Sequence, residues 1–293
     1  MPVISIILVT YNREHFLPIM LESIKQQTFQ DYELILVNNG STDSTPEICA
    51  QYAANDLRVK LIMLDKNMGA SYGRNIGIDA VTGEYIAFLD DDDRCDYEMF
   101  EFLFKLAKEE QADITMCGSY NDFGDRLEPY YISDEKFVFN RLDGIRELLK
   151  RELYNVAPPT KLFKHEVWGD LKFPECKLID DIHLIYKAFE RAKSVAGWNK
   201  PLYYFRKHNS NLSGFIHNAG TLTPELLDEY LDMYQTRAEY LLERAPELSN
   251  EINDSILSFM KNMCKNITEN QIHDCDTHLE KMKKYLAERG VLV

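Results

Sequence analysis

The sequence lacks several features that would assign it to large classes of protein. None of its six cysteines stands in a CxxC pair, so we predict reduced thiols rather than a disulfide framework. No apolar stretch reaches the length of a membrane span, and the N-terminus has neither the basic start nor the cleavage site of a secretory signal. These absences predict a soluble, cytoplasmic protein, and they leave open a peripheral association with the inner face of a membrane.

Positive charge is also scarce, since 33 Lys and Arg residues against 48 Asp and Glu residues give a net charge of −15. A chain of this charge is not expected to bind nucleic acid. If the substrate is an anion such as a nucleotide diphosphate, a local cation must offset its charge, and carboxylates could hold Mn²⁺ or Mg²⁺ for that purpose. Hydrophobic residues make up 45% of the 293 residues, which is enough for a sizeable core.

Apolar segments and helical patterns alternate through the first 118 residues. Five apolar runs predict strands, at residues 3–10, 32–37, 59–64, 84–89 and 112–117, of which the first, second and fourth are predicted to be buried. Helical spacing between them indicates βαβ units, which build an α/β fold with a mostly parallel central sheet flanked by helices. From Thr223 onward the pattern predicts helices alone. We therefore expect an α/β domain over residues 1–217 and a C-terminal helical region over residues 218–293.

Four consecutive aspartates, Asp90 to Asp93, directly follow the fourth predicted strand. Clustered carboxylates repel each other unless a cation or water lies between them. Ligands of parallel sheets bind beyond the carboxyl ends of the strands, where these oxygens could hold Mn²⁺ or Mg²⁺. The alternative is a solvated acidic turn that caps the next helix, and the buried strand before the cluster favours the metal site.

The segment 67–77 contains Gly69, Gly73 and Gly77, which a helix would align on one face. Each glycine costs a helix about 1 kcal/mol relative to alanine. We therefore expect the absence of side chains at these three positions to serve a purpose. Either the helix packs closely on the sheet, or a ligand approaches its backbone and Arg74 meets a phosphate or a base carbonyl. The spacing is neither the GxGxxG pattern of dinucleotide sites nor a P-loop.

Two further polar segments allow both a structural and a functional interpretation. Residues 37–43 are typical of a turn and helix cap after a strand, although the amide of Asn38 offers donors and an acceptor to a base edge. Asp180 and Asp181 precede an apolar helical stretch, where an N-cap is the commoner role. Either carboxylate could instead be the general base that deprotonates a hydroxyl.

Basic side chains occur near the end of the α/β domain and near the C-terminus. Arg206 and His208 follow an aromatic strand at residues 202–205 and could contact a diphosphate, although a lone histidine is more often structural. The last helical segment carries four basic residues, Lys281, Lys283, Lys284 and Arg289. A solvated helix face is the simplest explanation, and a homodimer contact or a dock to an anionic membrane is the alternative.

Taken in order, these motifs resemble the family 2 glycosyltransferases with the GT-A fold. The matching segments are Val9 to Arg13, Asn38 to Asp43, Asn67 to Gly77 and Phe88 to Asp93. The similarity continues more weakly through residues 161–163, 173–174, 180–181 and 202–213, as in bacterial members that build capsule, exopolysaccharide or lipopolysaccharide chains. The resemblance implies a Rossmann-like GT-A domain with a nucleotide-sugar-binding half over residues 1–118 and an acceptor-side half over residues 119–217.

The resemblance also implies which residues bind the nucleotide-sugar donor. Those that border the nucleoside are Thr10, Tyr11 and Arg13. Asn38 stands where the family usually has an aspartate that contacts the base, and its carbonyl can accept a hydrogen bond from uracil N3, so a UDP-sugar is the expected donor. Arg74 is implied to face the base or the diphosphate, and His208 matches a histidine near the diphosphate.

The carboxylates have implied roles as well. Asp90, Asp91 and Asp92 correspond to the family's DxD-type motif, in which Asp92, together with Asp90, binds Mn²⁺ or Mg²⁺ and Asp91 lies near the ribose or the sugar. Asp181 matches the second residue of the family's Glu-Asp pair, which is the catalytic base. Asp180 replaces the usual glutamate.

The implied reaction is metal-dependent transfer of a hexosyl-type sugar from a nucleotide-diphosphate sugar to an acceptor hydroxyl of a cell-surface polysaccharide or glycolipid. The family implies inversion by one in-line displacement, and the absence of a QxxRW motif predicts non-processive transfer. Two alternatives stay open, a sugar-nucleotide-binding scaffold without turnover and a sugar nucleotidyltransferase. The nucleotidyltransferase would usually bring a glycine- and lysine-rich phosphate loop near the N-terminus, which residues 9–16 lack.

Overall fold

The computed structural model describes residues 1–175, 177, 179–208 and 222–291. The chain divides into two compact units, of which the first joins Met1–Ile145 to Glu152–Lys207 and the second joins Arg146–Arg151 to the chain from His208 onward. The predicted boundary between residues 217 and 218, and the end of the similar segment 202–213, lie outside the described residues. The domain limits given above, including the two halves of residues 1–217, therefore stay predictions.

Ten strands and a series of helices are found within the described ranges. The strands are β1 Ile4–Thr10, β2 Tyr32–Asn39, β3 Val59–Leu64, β4 Tyr85–Asp90, β5 Arg94–Cys95, β6 Ile114–Asp122, β7 Leu127–Tyr130, β8 Lys136–Asn140, β9 Lys161–Lys164 and β10 Ser194–Arg206. The α-helices are α1 Leu17–Lys25, α2 Thr45–Asn55, α3 Ala70–Asp79, α4 Met99–Glu109, α5 Arg141–Lys150, α6 His165–Trp168, α7 Ile185–Arg191, α8 Pro224–Arg244, α9 Ser249–Glu269 and α10 Asp276–Ala287.

One sheet organises the first unit, with the strand order β3-β2-β1-β4-β9-β6-β10-β5, while β7 pairs with β6 and β8 pairs with β10. The pairs β1–β2, β1–β4, β2–β3 and β6–β10 are parallel. β9 is antiparallel to both of its neighbours, β4 and β6. The predicted α/β fold with a mostly parallel central sheet is confirmed, and the antiparallel strands join its later half.

The glycines of α3 allow this helix to pack closely on β1. A Cβ atom at Gly73 would lie 2.6 Å from Cγ1 of Val9, and one at Gly77 would lie 2.6 Å from Cγ2 of Ile7. Close packing on the sheet, one of the two explanations offered for these glycines, is thus confirmed at both positions. Gly69 differs, because it precedes the helix with φ +91° and a Cβ there would meet no atom within 4 Å.

Two elements of the later half differ from the sequence expectation. β10 begins at Ser194 rather than at Leu202, and its register shifts between Trp198 and Pro201, where polar residues and a proline interrupt the apolar pattern. The helix expected over residues 180–192 is divided into a 3-10 turn, Asp181–His183, and α7.

The described part of the second unit from Leu222 onward contains helices and no strand, as the sequence predicts. Its first helix, α8, is capped by Thr223, whose hydroxyl oxygen accepts a hydrogen bond from the Leu226 amide at 3.3 Å. None of the helices in the described ranges is both long and apolar enough to cross a bilayer. Five cysteines are buried and free, namely Cys49, Cys95, Cys117, Cys264 and Cys275, and Cys176 lies outside the described residues.

Candidate active site

The sheet places the predicted polar residues side by side. Thr10, the last residue of β1, pairs with Asn38 of β2, and Val9 pairs with Asp90, the last residue of β4. Three parallel strands therefore end together, and the loops that follow them carry the polar motifs. This is the edge at which doubly wound sheets bind ligands.

Arg13 lies against two carboxylates of the acidic cluster. Its Nε is 3.4 Å from Oδ1 of Asp91, and its Nη2 is 3.8 Å from Oδ2 of Asp92. The backbone amide of Tyr11 also donates to Oδ2 of Asp91 at 3.3 Å. Burial, together with the neighbouring charge of Asp92, nevertheless raises the pKa of Asp91 to about 7. Arg13 alone therefore does not neutralise the negative charge of the aspartate cluster.

Asp93 differs from the three preceding aspartates because its side chain is buried. The Tyr203 hydroxyl donates to Oδ2 of Asp93 at 2.8 Å, and the Arg206 amide donates to Oδ1 at 2.7 Å. Burial, and then the charges of Asp90 and Asp92, raise the pKa of Asp93 well above its usual range. We conclude that Asp93 attaches β10 to the end of β4. Nothing in the local sequence distinguishes this aspartate from the other three.

Arg74 connects α3 to two carboxylates. Its Nη1 donates to Oδ2 of Asp180 at 2.6 Å, and its Nη2 donates to Oδ1 of Asp90 at 3.2 Å. The Ser71 hydroxyl donates to the same Asp180 oxygen at 2.9 Å. Burial opposes the guanidinium charge, but Asp180, Asp90 and, more weakly, Asp181 hold the pKa of Arg74 above its ordinary value. The predicted contact of Arg74 with a base or a diphosphate stays a prediction, while its two carboxylate partners are the finding.

Asp181 begins the 3-10 turn that precedes α7, and its Oδ1 accepts a hydrogen bond from the Ile182 amide at 2.7 Å. The residue that directly precedes α7 is Leu184, so neither aspartate caps that helix. The influence of Asp181 on the pKa of Arg74 places both in one electrostatic environment. The structure thus brings the predicted base to the acidic cluster through Arg74, and its catalytic role stays a prediction.

Asn38 and Asn39 occupy adjacent positions but have different surroundings. The Asn39 amide group donates to the Gly69 carbonyl at 3.0 Å, and its oxygen accepts from the Met68 amide at 3.0 Å. Asn39 therefore fixes the loop before α3, a positioning role that the sequence did not indicate. Asn38 is also buried, yet its Oδ1 has no hydrogen-bond partner among the described residues. A buried acceptor without a partner is costly, so this oxygen is suited to a donor from a ligand.

The residues predicted to bind a metal have cationic neighbours. Asp90 pairs with Arg74, and Arg13 lies 3.8 Å from Asp92. In the described ranges, no three His, Cys, Asp or Glu side chains are grouped so that they could hold a metal ion. Mg²⁺ commonly takes only one or two carboxylates and completes its shell with water and substrate phosphates, so two carboxylates suffice in number, and the binding of Mn²⁺ or Mg²⁺ by Asp92 and Asp90 stays a prediction. His208 begins the second unit, and its role near a diphosphate stays a prediction.

Comparison with known proteins identifies the class that this fold and site define. Residues 5–168, more than half of the chain, match the family described as Glycosyl transferase family 2. The chain belongs to this family. Its central sheet and the described C-terminal helices accordingly form a GT-A fold with a helical extension.

Individual relatives agree with that assignment. The glycosyltransferase GlyG of Streptococcus pneumoniae serotype 4 is 30% identical over 218 residues, which cover 71% of this chain and 72% of GlyG. A poly(ribitol-phosphate) beta-glucosyltransferase of Bacillus spizizenii is 31% identical over 69% of this chain, which spans 32% of that relative. The crystal structure of S. aureus TarS residues 1–349 in complex with UDP-GlcNAc has a TM-score of 0.71 at 23% identity, covering 88% of this chain and 71% of that chain.

Proposed function

We propose that this glycosyltransferase moves a hexosyl-type sugar from a UDP-sugar to a hydroxyl of a cell-surface polysaccharide or glycolipid. The transfer is non-processive and inverts the anomeric carbon. The complex of TarS with UDP-GlcNAc supports a uridine donor. The acceptor class is supported by the name of the poly(ribitol-phosphate) relative. The protein acts in the cytoplasm, where the membrane face presents lipid-linked acceptors.

The observation that carries this proposal is the buried Oδ1 of Asn38, which has no hydrogen-bond partner among the described residues. It lies beside Thr10 in the register of β1 and β2, at the edge that also holds Tyr11 and Arg13. Uracil N3 carries a hydrogen and can donate to this oxygen, whereas its neighbouring carbonyls can accept from the amide of Asn38. The nucleoside then lies across the ends of β1 and β2, at the edge where Arg13 contacts Asp91.

Asp181 acts as the general base of the transfer. The acceptor hydroxyl attacks the anomeric carbon on the face opposite to the leaving nucleotide, the new glycosidic bond forms as the bond to the diphosphate oxygen breaks, and Asp181 takes the hydroxyl proton. Arg74 holds the neighbouring Asp180 at 2.6 Å, which keeps the turn that carries Asp181 close to the acidic cluster. Inversion of the anomeric carbon follows from a single displacement.

Asp92, together with Asp90, would hold Mn²⁺ or Mg²⁺. Such a cation would offset the negative charge that develops on the departing diphosphate. The sequence position supports this assignment, because Asp90 and Asp92 lie at the carboxyl end of β4, where parallel sheets bind their ligands. Asp91 is then available to a hydroxyl of the ribose or the sugar.

The test is calorimetric titration of the purified protein with UDP, GDP and several UDP- and GDP-sugars, each with and without Mn²⁺. We expect metal-dependent binding of uridine nucleotides. Proton NMR of the transfer product should then show an inverted anomeric configuration. Retained configuration would disprove the displacement mechanism, and folded protein that binds none of these nucleotides would favour the scaffold alternative.

A further inference from the structure

A cavity lies within the second unit, apart from the residues assigned to the donor. Its volume is about 340 Å³, and its walls come from the end of α5, Leu222, and the helices α8 and α9. All of these residues belong to the same compact unit. Pockets that bind small molecules in proteins measure about 300–1,000 Å³, so the cavity is large enough for one ligand group.

The walls of the cavity combine aromatic rings with neutral polar groups. Tyr230 and Tyr234 on α8 face the cavity together with Phe259 on α9. Asn262 and Asn266 add amides one and two helical turns further along α9. Aromatic faces pack against the C–H faces of sugar rings, and amides donate to and accept from sugar hydroxyls. This combination suits a saccharide better than a purely apolar ligand.

The aromatic wall is held in place by its neighbours. The rings of Tyr234 and Phe259 stack with centroids 4.2 Å apart. The guanidinium of the buried Arg237 lies 4.5 Å from the centre of the Tyr234 ring, and its Nη2 donates to the Ser255 hydroxyl at 2.5 Å. A wall fixed before binding loses little conformational entropy when a ligand enters.

The charge of the cavity is opposite to the charge of the chain. The chain has a net charge of −15, yet the charged side chains among the described residues that line the cavity are both cations, Lys150 and Arg151. Glu251, an acidic residue of α9, is engaged by Arg146 at 2.7 Å. Arg151 is held with φ +60°, a left-handed conformation that is uncommon outside glycine and asparagine. This conformation commonly ends a helix, and Arg151 directly follows the last residue of α5, with its amide donating to the Glu147 carbonyl at 2.8 Å.

We infer that this cavity is a second saccharide-binding site, which takes a sugar unit bearing a carboxylate or a phosphate. Tyr230, whose ring is tilted and not stacked against Phe259, contacts the sugar ring, Asn262 bonds its hydroxyls, and Lys150 with Arg151 binds its anionic group. The source of the ligand is an acidic acceptor glycan, an assignment that rests on the proposed transferase function. The binding itself can be tested without any transfer reaction.

The experiment is calorimetric titration of the full chain with four probes, namely a hyaluronan tetrasaccharide, neutral chitotetraose, inorganic phosphate and UDP-GlcNAc. We expect the hyaluronan tetrasaccharide to bind at least tenfold more tightly than chitotetraose, and at least tenfold more tightly than phosphate. Equal binding of phosphate and the tetrasaccharide would reduce the site to a simple anion site and overturn the inference. Absence of tetrasaccharide binding would overturn it as well.

Variants assign the binding to this cavity. The double variant Lys150→Gln, Arg151→Gly removes both cations, and glycine adopts φ +60° freely, so the fold should be kept. We expect at least tenfold weaker tetrasaccharide binding. Asn262→Leu, at an exposed position, should weaken the binding of both tetrasaccharides at least threefold. The control Lys281→Gln, Lys284→Gln removes the same charge from α10 and should change neither affinity, and an equal loss in this control would overturn the assignment.

UDP-GlcNAc separates this inference from the proposed function. We expect its affinity to be the same in the wild type and in all of these variants. The UDP-GlcNAc titration is made with Mn²⁺ present, and if the tetrasaccharide binds while UDP-GlcNAc does not, the cavity site stands and the donor proposal fails. If UDP-GlcNAc binds and the tetrasaccharide does not, the cavity inference fails alone.

Discussion

Arg74 and Asp180 are 106 residues apart in the sequence and form an ion pair of 2.6 Å. The same guanidinium reaches Asp90 at 3.2 Å. One side chain of α3 therefore neutralises both the end of β4 and the segment that leads to Asp181. This relationship makes Arg74 a structural connection between the acidic cluster and the proposed base.

Replacing Arg74 with methionine should leave Asp90 and Asp180 without their shared cation. Breaking a buried pair costs about 3–5 kcal/mol, and because these side chains are partly exposed we expect a loss of about 2–3 kcal/mol in the free energy of unfolding, measured by urea titration. Lys200→Met is the matched control, since Lys200 pairs with Glu98 at 3.0 Å with both side chains exposed, and it should cost less than about 1 kcal/mol. Equal costs for the two variants would contradict the structural role of Arg74.

Gly77→Ala should destabilise the contact between α3 and β1. The new Cβ would lie 2.6 Å from Cγ2 of Ile7, and overpacking of this kind costs about 1–3 kcal/mol, which exceeds the gain of about 1 kcal/mol in helix propensity. Ile7→Leu removes the branched methyl group, so the double variant should recover part of the loss. Thermal unfolding of the wild type, Gly77→Ala, Ile7→Leu and the double variant checks both expectations. An unchanged Tm in Gly77→Ala would contradict the loss, and additive effects in the double variant would contradict the recovery.

Asp91→Asn should stabilise the donor-free protein in a pH-dependent manner. Folding raises the pKa of Asp91 from 3.8 to about 7, so its contribution to stability is fully present below pH 3.8 and is lost as the pH rises through 7. At pH 8 the wild type therefore carries a penalty of a few kcal/mol, which asparagine removes. The difference in Tm between variant and wild type should grow by about 2–6 °C between pH 5 and pH 8.

Differential scanning calorimetry measures that difference across the pH range. Asp125→Asn serves as the control, because Asp125 is an exposed residue of the loop before β7, and its difference from the wild type should stay constant. If the Tm difference between Asp91→Asn and the wild type is also constant with pH, burial does not raise the pKa of Asp91.

Asn38→Leu removes the buried acceptor while nearly preserving side-chain size. We expect UDP to bind at least tenfold more weakly, because the N3 hydrogen of uracil loses its partner at a cost of about 1–3 kcal/mol. Asn38→Asp keeps an oxygen acceptor and should retain most of the affinity. Calorimetry with UDP distinguishes the outcomes, and unchanged binding by Asn38→Leu would remove Asn38 from the proposed donor site.

Asp181→Asn should abolish proton removal from the acceptor and leave donor binding in place. We expect kcat to fall by about 10²–10⁴-fold, with the Kd for the UDP-sugar within about threefold of the wild-type value. Asp180→Asn is the neighbouring control, and it should lower stability through Arg74 while keeping measurable turnover. Wild-type turnover in Asp181→Asn would show that another group is the base.

The early part of the fold was predictable because local patterns and tertiary structure agree there. The strands predicted at residues 3–10 and 59–64 match β1 and β3 within one residue. β1 is a continuous apolar run because it is a buried parallel strand, whereas β3 is an edge strand without a buried residue. The order of the strands brings their ends together, so the polar residues after β1, β2 and β4 could be assigned to one site from the sequence.

The remaining features depend on contacts between distant parts of the chain. β9 is only four residues long, and its antiparallel position between β4 and β6 leaves no local pattern. Asp93 has the same side chain as Asp92, and only its bond to Tyr203, 110 residues away, separates the two. Asn38 and Asn39 are likewise the same residue type. Asn39 donates to the Gly69 carbonyl, whereas the Oδ1 of Asn38 has no hydrogen-bond partner among the described residues.

The attachment of Asp93 to β10 has a consequence for synthesis of the protein on the ribosome. The strands β1 to β4 are complete once residue 90 has been made, so this part of the sheet can form early. The Arg206 amide that binds Asp93 follows 113 residues later. At about 5–20 residues per second, that interval lasts roughly 6 to 23 s. During it Asp93 has neither of its two partners on β10, whereas Arg13 and Arg74, the cations that lie against the other three aspartates, have already been made.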